Sequence, residues 1–216
     1  MRLICCLLLC MSAGCALGQY LGVSEHLLSE VEKHYGAEAR QRLVDWLLLM
    51  ENTNTRPDAV EQQKLESANT FFNRVNWVSD KEHWGKEDYW ATPVETLATN
   101  GGDCEDFSIG KYFTLKDTRV ESDKLRITYV KSLELNQAHM VLAYYPSPDA
   151  EPLILDNINK TILPASKRTD LLPIYSFSGG SLWLAQSRGR KLKANSMKTL
   201  PQWRDLNLRL QEEIKP

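Results

Sequence analysis

The chain has 216 residues, of which 26 are Lys or Arg and 28 are Asp or Glu, so its formal net charge is −2. Such mild acidity argues against nucleic acid as the main partner. About 200 residues suit one compact domain, and no apolar run reaches the roughly 20 residues that a membrane span requires. We therefore expect a single globular domain that neither binds nucleic acid nor spans a membrane.

The N-terminal segment has the pattern of an export signal, because a basic residue precedes a short apolar run and small residues follow. Ala16-Leu17-Gly18 fits the small-x-small rule for cleavage, which predicts a signal peptide over 1–18 and a mature chain over 19–216. An alternative is processing as a lipoprotein with an acylated Cys15. We favour soluble export, because Ser12 stands where such a site usually has a leucine.

Cys104 is the one cysteine that this processing would leave, since the other four lie in the apolar N-terminal segment. A lone thiol in an exported protein has no intramolecular disulfide partner, which makes it a candidate reactive thiol. It follows the turn Gly101-Gly102 and opens a helical pattern, and the N-terminus of a helix stabilises a thiolate. The first hypothesis is therefore a nucleophile at Cys104.

Helical patterns dominate the first half of the chain, and alternating apolar patterns dominate the second half. The helices are predicted over 24–35, 37–50, 57–75, 92–100, 103–115 and 201–214. The strands are predicted over 125–130, 138–145, 153–158, 174–177 and 182–185. This order predicts an α+β fold. A helical lobe over 19–120 would carry the nucleophile helix, and an antiparallel sheet lobe would follow over 121–216.

A base for the thiol is predicted at His139, which opens a strand, whereas the other three histidines are expected to be surface or packing residues. Asp156 lies on the next predicted strand. A hairpin loop centred near residue 148 would place positions that sum to about 295 opposite each other, and His139 and Asp156 satisfy this sum. One imidazole nitrogen would then bond the carboxylate while the other takes the thiol proton. A strand-edge histidine beside an unrelated aspartate is the alternative.

The acids around the cysteine, Asp103, Glu105 and Asp106, would each disfavour a thiolate by charge repulsion. A hard cation held by these carboxylates would offset the repulsion, and closely spaced oxygen ligands suit Ca²⁺. Alternatively, Asp103 caps the helix and the other two acids interact with its positive end. The residues alone leave both explanations open.

Several segments carry a resemblance to a known family: Trp90-Ala91-Thr92-Pro93, Glu95, Gly101-Gly102-Asp103-Cys104-Glu105-Asp106-Phe107, Lys111-Tyr112, Ala138-His139-Met140-Val141 and Leu155-Asp156-Asn157. Together they resemble the bacterial transglutaminase-like cysteine proteinases of the LapG type, over about 69–183. The resemblance implies a papain-like or transglutaminase-like fold, with a helical lobe packed on a sheet lobe. It also implies a triad of Cys104, His139 and Asp156, and calcium bound by Asp103, Glu105 and Asp106.

The resemblance further implies a periplasmic, calcium-dependent cysteine endopeptidase. Its expected substrate is a large cell-surface adhesin, cut near the N-terminus at small residues, so that the adhesin is released and the biofilm disperses. An inner-membrane receptor for a cyclic dinucleotide would sequester the protease through a periplasmic domain. Acyl transfer to an amine through the same thioester is one alternative function, and a non-catalytic, calcium-dependent binding module is another.

An oxyanion hole is expected to include the backbone N–H of Cys104, at the start of its helix. Trp90 and Trp77 are candidates for the second donor. We favour buried packing as the role of both tryptophans, because large aromatic side chains usually serve the core.

Overall fold

A computed structural model describes residues 22–56, 60–179, 181–184, 191–192 and 200–214. The predicted signal peptide, the alternative lipid site at Cys15 and the predicted helix start at Pro57 lie outside these residues. Among the helices that the structure describes, none is both long enough and apolar enough to cross a membrane.

The described residues form seven α-helices: α1 Glu25–Tyr35, α2 Ala37–Asn54, α3 Glu61–Phe72, α4 Asp80–His83, α5 Pro93–Thr99, α6 Cys104–Asp117 and α7 Pro201–Glu213. Local capping signals explain several of their ends. Ser24 caps α1 by accepting a hydrogen bond from the Leu27 N–H. Thr92 and Glu95 form a capping box at the start of α5, which satisfies N–H groups that the helix leaves free.

The described residues also form nine strands: β1 Asn76–Trp77, β2 Gly101–Gly102, β3 Leu125–Ser132, β4 Gln137–Tyr144, β5 Leu153–Leu155, β6 Leu163–Pro164, β7 Leu171–Ser178, β8 Ser181–Leu184 and β9 Lys191–Leu192. β3 to β9 make one antiparallel sheet in the order β6-β5-β4-β3-β7-β8-β9. β1 and β2 pair separately and in parallel. The predicted α+β fold class is confirmed.

Helix α6 is the centre of the fold, because every residue from Glu105 to Leu115 is buried. One side of the helix packs against the sheet, in a core that includes Leu142 and Phe177. The other side meets α2, where the fully buried Trp46 donates from Nε1 to Thr114 Oγ1 over 2.7 Å. The helix is therefore held on two sides, which keeps its N-terminus in a defined place.

In the segment that leads into α6, the backbone lies close to the Asp106 side chain. Asn100 ends α5 in the left-handed conformation, with φ of 53°. The chain then pairs with β1 before Asp103 begins α6. A Cβ atom at Gly102 would lie 2.6 Å from Asp106 Oδ2, so only glycine fits there without displacement. The predicted turn before the cysteine is thus a short strand whose glycine allows the helix start to pack tightly.

Candidate active site

A cleft of about 260 Å³ lies where the N-terminus of α6 meets the start of β4. Cys104 and His139 both line it, together with the aromatic residues Trp90, Tyr129 and Tyr175. Cys104 is half-buried and is a free cysteine. The structure therefore brings the predicted nucleophile and the predicted base to the same cavity, from a helix and from a strand.

Ser108 joins these two elements beside the cleft. Its Oγ lies 2.9 Å from the Cys104 carbonyl oxygen and 3.1 Å from that of Met140, the residue after His139. Ser108 is buried, and a buried hydroxyl that serves both elements limits their relative movement. The separation between the helix start and the histidine is thereby restricted.

His139 and Asp156 form a buried hydrogen-bonded pair. Nε2 of His139 lies 2.8 Å from Asp156 Oδ1, and the two residues are 3% and 1% exposed. An Nε2–H that donates to the carboxylate leaves Nδ1 as the nitrogen able to take a proton. Burial would raise the pKa of the Asp156 carboxyl, but its hydrogen bond from His139 and other donors hold that pKa well below the usual range. Asp156 is therefore ionised at neutral pH.

The route to this pair differs from the predicted one. β4 and β5 pair Leu142 with Leu155, so opposite positions sum to 297 and the predicted register is wrong by two residues. β5 ends at Leu155, and Asp156 begins the loop that follows. The carboxylate still reaches His139 because Oδ1 also accepts from the Ile158 N–H, at 3.0 Å, and Oδ2 accepts from Arg168, at 2.7 Å. Local turn bonds, rather than strand pairing, place this side chain.

The Cys104 thiol donates to Glu105 Oε2 over 3.0 Å. Burial and the neighbouring Glu105 and Asp103 carboxylates raise the pKa of the Cys104 thiol well above its ordinary value. The repulsion between neighbouring carboxylates and a thiolate at Cys104, which the sequence predicted, is thus present in the structure. Any charge that neutralised these carboxylates would favour the thiolate.

The three predicted calcium ligands lie together at the start of α6. Asp106 is fully buried; its Oδ1 accepts from the Ala91 N–H at 2.7 Å, and its Oδ2 accepts from the Asp103 N–H at 3.1 Å. Asp106 therefore holds the chain before α5 against the helix start. Oxygens of Asp103, Asp106 and Asp80 lie within 4.8 Å of one another.

Two acids that the sequence did not single out, Asp80 and Asp88, complete this cluster. A carboxylate oxygen of each lies within 4.8 Å of the other and of a Glu105 oxygen. Asp80 Oδ2 accepts from the Tyr89 N–H at 2.5 Å, but Asp80 Oδ1 and Asp103 Oδ1 are buried and have no hydrogen-bond partner among the described residues. Burial and mutual repulsion raise the pKa of Asp80 to about 6 and that of Glu105 to about 10. Partnerless buried oxygens in an all-oxygen donor set fit a hard cation such as Ca²⁺.

The two tryptophans considered for the oxyanion hole differ in how far their side chains are exposed. Trp90 is 5% exposed, stacks on Phe177 with ring centroids 5.5 Å apart, and donates from Nε1 to Asp88 over 3.0 Å. Its predicted packing role is confirmed. Trp77 is 61% exposed, so the buried role predicted for it is wrong. Its position on the two-residue strand β1 leaves the ring on the surface.

Comparisons with known proteins identify the family of this chain. The family model "Bacterial transglutaminase-like cysteine proteinase BTLCP" matches residues 49–174, more than half of the chain. A solved structure of LapG from Legionella pneumophila is 45% identical, with a TM-score of 0.73, over 86% of this chain and 96% of that one. A search of curated protein sequences returned no match.

Two further Legionella pneumophila LapG structures are similar, each 44% identical over 86% of this chain. One was treated with EGTA and has a TM-score of 0.74, with 96% of that chain covered. The other is calcium-bound and has a TM-score of 0.73, with 98% of that chain covered. These likenesses confirm the transglutaminase-like fold. The chain belongs to the bacterial transglutaminase-like cysteine proteinases.

Proposed function

We propose that this protein is a calcium-dependent cysteine endopeptidase whose catalytic residues are Cys104, His139 and Asp156. The observation that carries the proposal is the 2.8 Å contact between His139 Nε2 and Asp156 Oδ1 beside a cleft that His139 shares with Cys104. Nucleophile, base and orienting acid are the three groups that thiol catalysis of acyl transfer requires.

The proposed reaction begins when Cys104 Sγ attacks the scissile carbonyl carbon and its proton passes to His139 Nδ1. Asp156 holds the ring and stabilises the imidazolium. The Cys104 N–H, in the first turn of α6, is free of helical bonding and can stabilise the oxyanion. His139 then donates the proton to the leaving amine as the C–N bond breaks and a thioester remains. Water, deprotonated by His139, hydrolyses that thioester and restores the thiol.

A calcium ion would be held by the carboxylates of Asp80, Asp88, Asp103, Glu105 and Asp106. When bound, it supplies positive charge that offsets their repulsion of the Cys104 thiolate. The partnerless oxygens of Asp80 and Asp103 support this assignment, as do the calcium-bound and EGTA-treated structures of Legionella pneumophila LapG. The loop before α5 and the start of α6 would then be fastened by one ion.

The substrate and setting are proposed from the resemblance to the LapG type. The protein would act in the periplasm, after removal of residues 1–18. It would cut a large cell-surface adhesin near its N-terminus at small residues, which releases the adhesin and promotes biofilm dispersal. An inner-membrane receptor that senses a cyclic dinucleotide would inhibit it by sequestration.

The proposal is tested by incubating the protein with a purified N-terminal adhesin fragment in calcium and identifying products by mass spectrometry. We expect one main cut with the native protein and none with Cys104→Ala. Cleavage that persists in Cys104→Ala would overturn the proposal, and absence of cleavage by the native protein would favour a non-catalytic binding module. A dansylated primary amine added to the reaction distinguishes acyl transfer, because stable incorporation into the fragment would mean that an amine resolves the thioester.

A further inference from the structure

Arg168 makes a buried contact with Asp156 that nothing in the proposed triad requires. Its Nη2 lies 2.7 Å from Asp156 Oδ2 and also 2.7 Å from Asp170 Oδ2, while Nε lies 2.9 Å from Asp170 Oδ1. Arg168 and Asp156 are 3% and 1% exposed. The guanidinium therefore bridges two carboxylates, and the Asp156 oxygen that it binds is the one that His139 leaves free.

Stabilisation of the fold does not by itself explain this bridge. Arg168 Nη1 is buried and finds no hydrogen-bond partner in the part of the chain that the structure describes, which adds a desolvation cost to a buried ion pair. Buried ion pairs contribute little net stability compared with apolar residues of similar volume. The contact is better explained by what it does for Asp156.

The backbone around Arg168 is itself held firmly. The residue follows a 3₁₀ turn at Ala165–Lys167, and its N–H donates to the Ala165 carbonyl over 3.0 Å. The backbone carbonyl oxygen of Asp170 accepts from the Leu133 N–H at 2.8 Å, at the tip of the β3–β4 hairpin that carries His139. The guanidinium thus ties the Asp156 loop to the same hairpin.

The charges of Asp156, Arg168 and Asp170 are also suited to catalysis. Arg168 alone would cancel the charge of Asp156 and weaken its attraction for the His139 imidazolium. Asp170 offsets that effect, so that Asp156, Arg168 and Asp170 together carry one negative charge. The carboxylate can therefore be held rigidly by a cation and still stabilise an imidazolium.

We propose that Arg168 is a positioning residue that orients the Asp156 carboxylate toward His139, with Asp170 as its charge-balancing partner. The inference rests on the proposed function, since it gives Asp156 the role of orienting acid. Loss of Arg168 leaves Asp156 with fewer donors and frees it to rotate away from Nε2. A small misplacement of a catalytic group costs about 100-fold in rate.

The test compares Arg168→Gln, Arg168→Lys and Asp170→Asn, with Arg126→Gln as the control. Arg126 lies in β3, and its guanidinium stacks over the rings of Tyr145 and Trp183 at 4.0 and 4.4 Å. With an N-terminal adhesin fragment and saturating calcium, Arg168→Gln is expected to lower kcat about 10- to 100-fold with KM changed less than about twofold. Arg168→Lys should recover part of kcat, and Arg126→Gln should leave it unchanged.

The pH profile separates positioning from a merely structural role. The pH profile of kcat should move to higher pH in Arg168→Gln, by about half to one unit, because positive charge is lost beside the catalytic groups, and to lower pH in Asp170→Asn, because negative charge is lost there. The other titratable groups of the cleft are Asp80, Glu87, Asp88, Asp103, Cys104, Glu105, Tyr129 and Tyr175. The buried Lys111 also interacts with Asp156. These groups are the same in every variant. Displacements of the pH profile in opposite directions would therefore be caused by the changes at Arg168 and Asp170.

A folded Arg168→Gln with native kcat, or shifts of the same sign in the two variants, would overturn the inference. A second measurement does not depend on turnover. In a Cys104→Ala background, the His139 Nε2–H should give a downfield proton resonance that broadens or disappears in Arg168→Gln and persists in Arg126→Gln. If the native protein and Cys104→Ala behaved alike toward the adhesin fragment, the proposed function would fail. The resonance would still decide whether Arg168 positions Asp156.

Discussion

His139 and Asp156 are hydrogen-bonded across 2.8 Å although they are not opposite each other in the β4–β5 ladder. The aspartate lies just beyond the end of β5 and is turned back by its bonds to the Ile158 N–H and to Arg168. The geometry that a triad requires is thus produced by a loop with its own internal bonding. The first prediction concerns the role of this carboxylate.

Asp156→Asn is expected to lower kcat by about 10³- to 10⁴-fold while KM changes little. An amide keeps the volume of the side chain, but its NH₂ group can favour the wrong imidazole tautomer and it carries no charge to stabilise an imidazolium. Steady-state kinetics on the adhesin fragment measure the effect. Asp149→Asn is the matched control, since Asp149 is exposed in the loop of the same hairpin. Equal losses in the two variants would contradict the assigned role.

Calcium should stabilise the folded protein as well as activate it. Because the acid cluster binds the ion only when folded, calcium at 100 times its Kd would add about 2.7 kcal/mol to the free energy of unfolding. Thermal denaturation in calcium and in EGTA measures this difference.

Asp80→Asn tests the acid that the sequence pattern did not indicate. Asp80 Oδ1 is buried and has no hydrogen-bond partner within the described ranges, so the variant should bind calcium at least about tenfold more weakly in isothermal titration calorimetry. Asp123→Asn, on a 3₁₀ turn outside the cleft, serves as control. Unchanged affinity in Asp80→Asn would remove this residue from the proposed ligand set.

Glu213 gives a pH dependence of stability that is separate from the cleft. Burial raises the pKa of this carboxyl to about 7, above its ordinary 4.5, while Thr92 Oγ1 donates to it over 2.7 Å. The folded state therefore favours the protonated acid. Stability from this group is fully present below pH 4.5 and is lost as pH rises through 7.

Glu213→Gln should consequently leave the Tm nearly unchanged at pH 4.5. At pH 8 it should raise the Tm relative to the native protein, through a gain of at most about 3 kcal/mol in the free energy of unfolding. Glu212→Gln, which alters the exposed neighbouring acid, is the control. A variant less stable than the native protein at pH 8 would show that the ionised carboxylate stabilises the fold.

Much of the fold could be predicted from local signals. The Ser24 cap, the Thr92–Glu95 capping box and the alternation in β3 each act within a few residues, so a single sequence displays them. The helix that carries Cys104 begins where the Gly-Gly turn and the following acids predicted. The buried residues of α2, which include Leu43, Trp46, Leu47 and Met50, likewise recur at helical spacing in the sequence.

The features of the fold and the site that the sequence did not predict depend on contacts between residues that are distant in the chain. The pairing of β1 with β2 joins segments about 25 residues apart and leaves no periodic pattern in two-residue strands. Asp80 opens the short helix α4, well before the cysteine in the chain, and Arg168 follows Asp156 by 12 residues in a loop. No spacing rule connects such residues to the site, because the turns that carry them follow no simple period.

The most direct measurement of the central claim is the rate at which iodoacetamide alkylates Cys104, followed by peptide mass spectrometry in calcium at neutral pH. We expect His139→Gln to slow alkylation at least about tenfold, because the imidazole that removes the thiol proton is lost. His83→Gln, which alters a histidine bonded to Thr99, should alkylate at the native rate. Equal rates in the native protein and His139→Gln would contradict the claim that His139 activates Cys104.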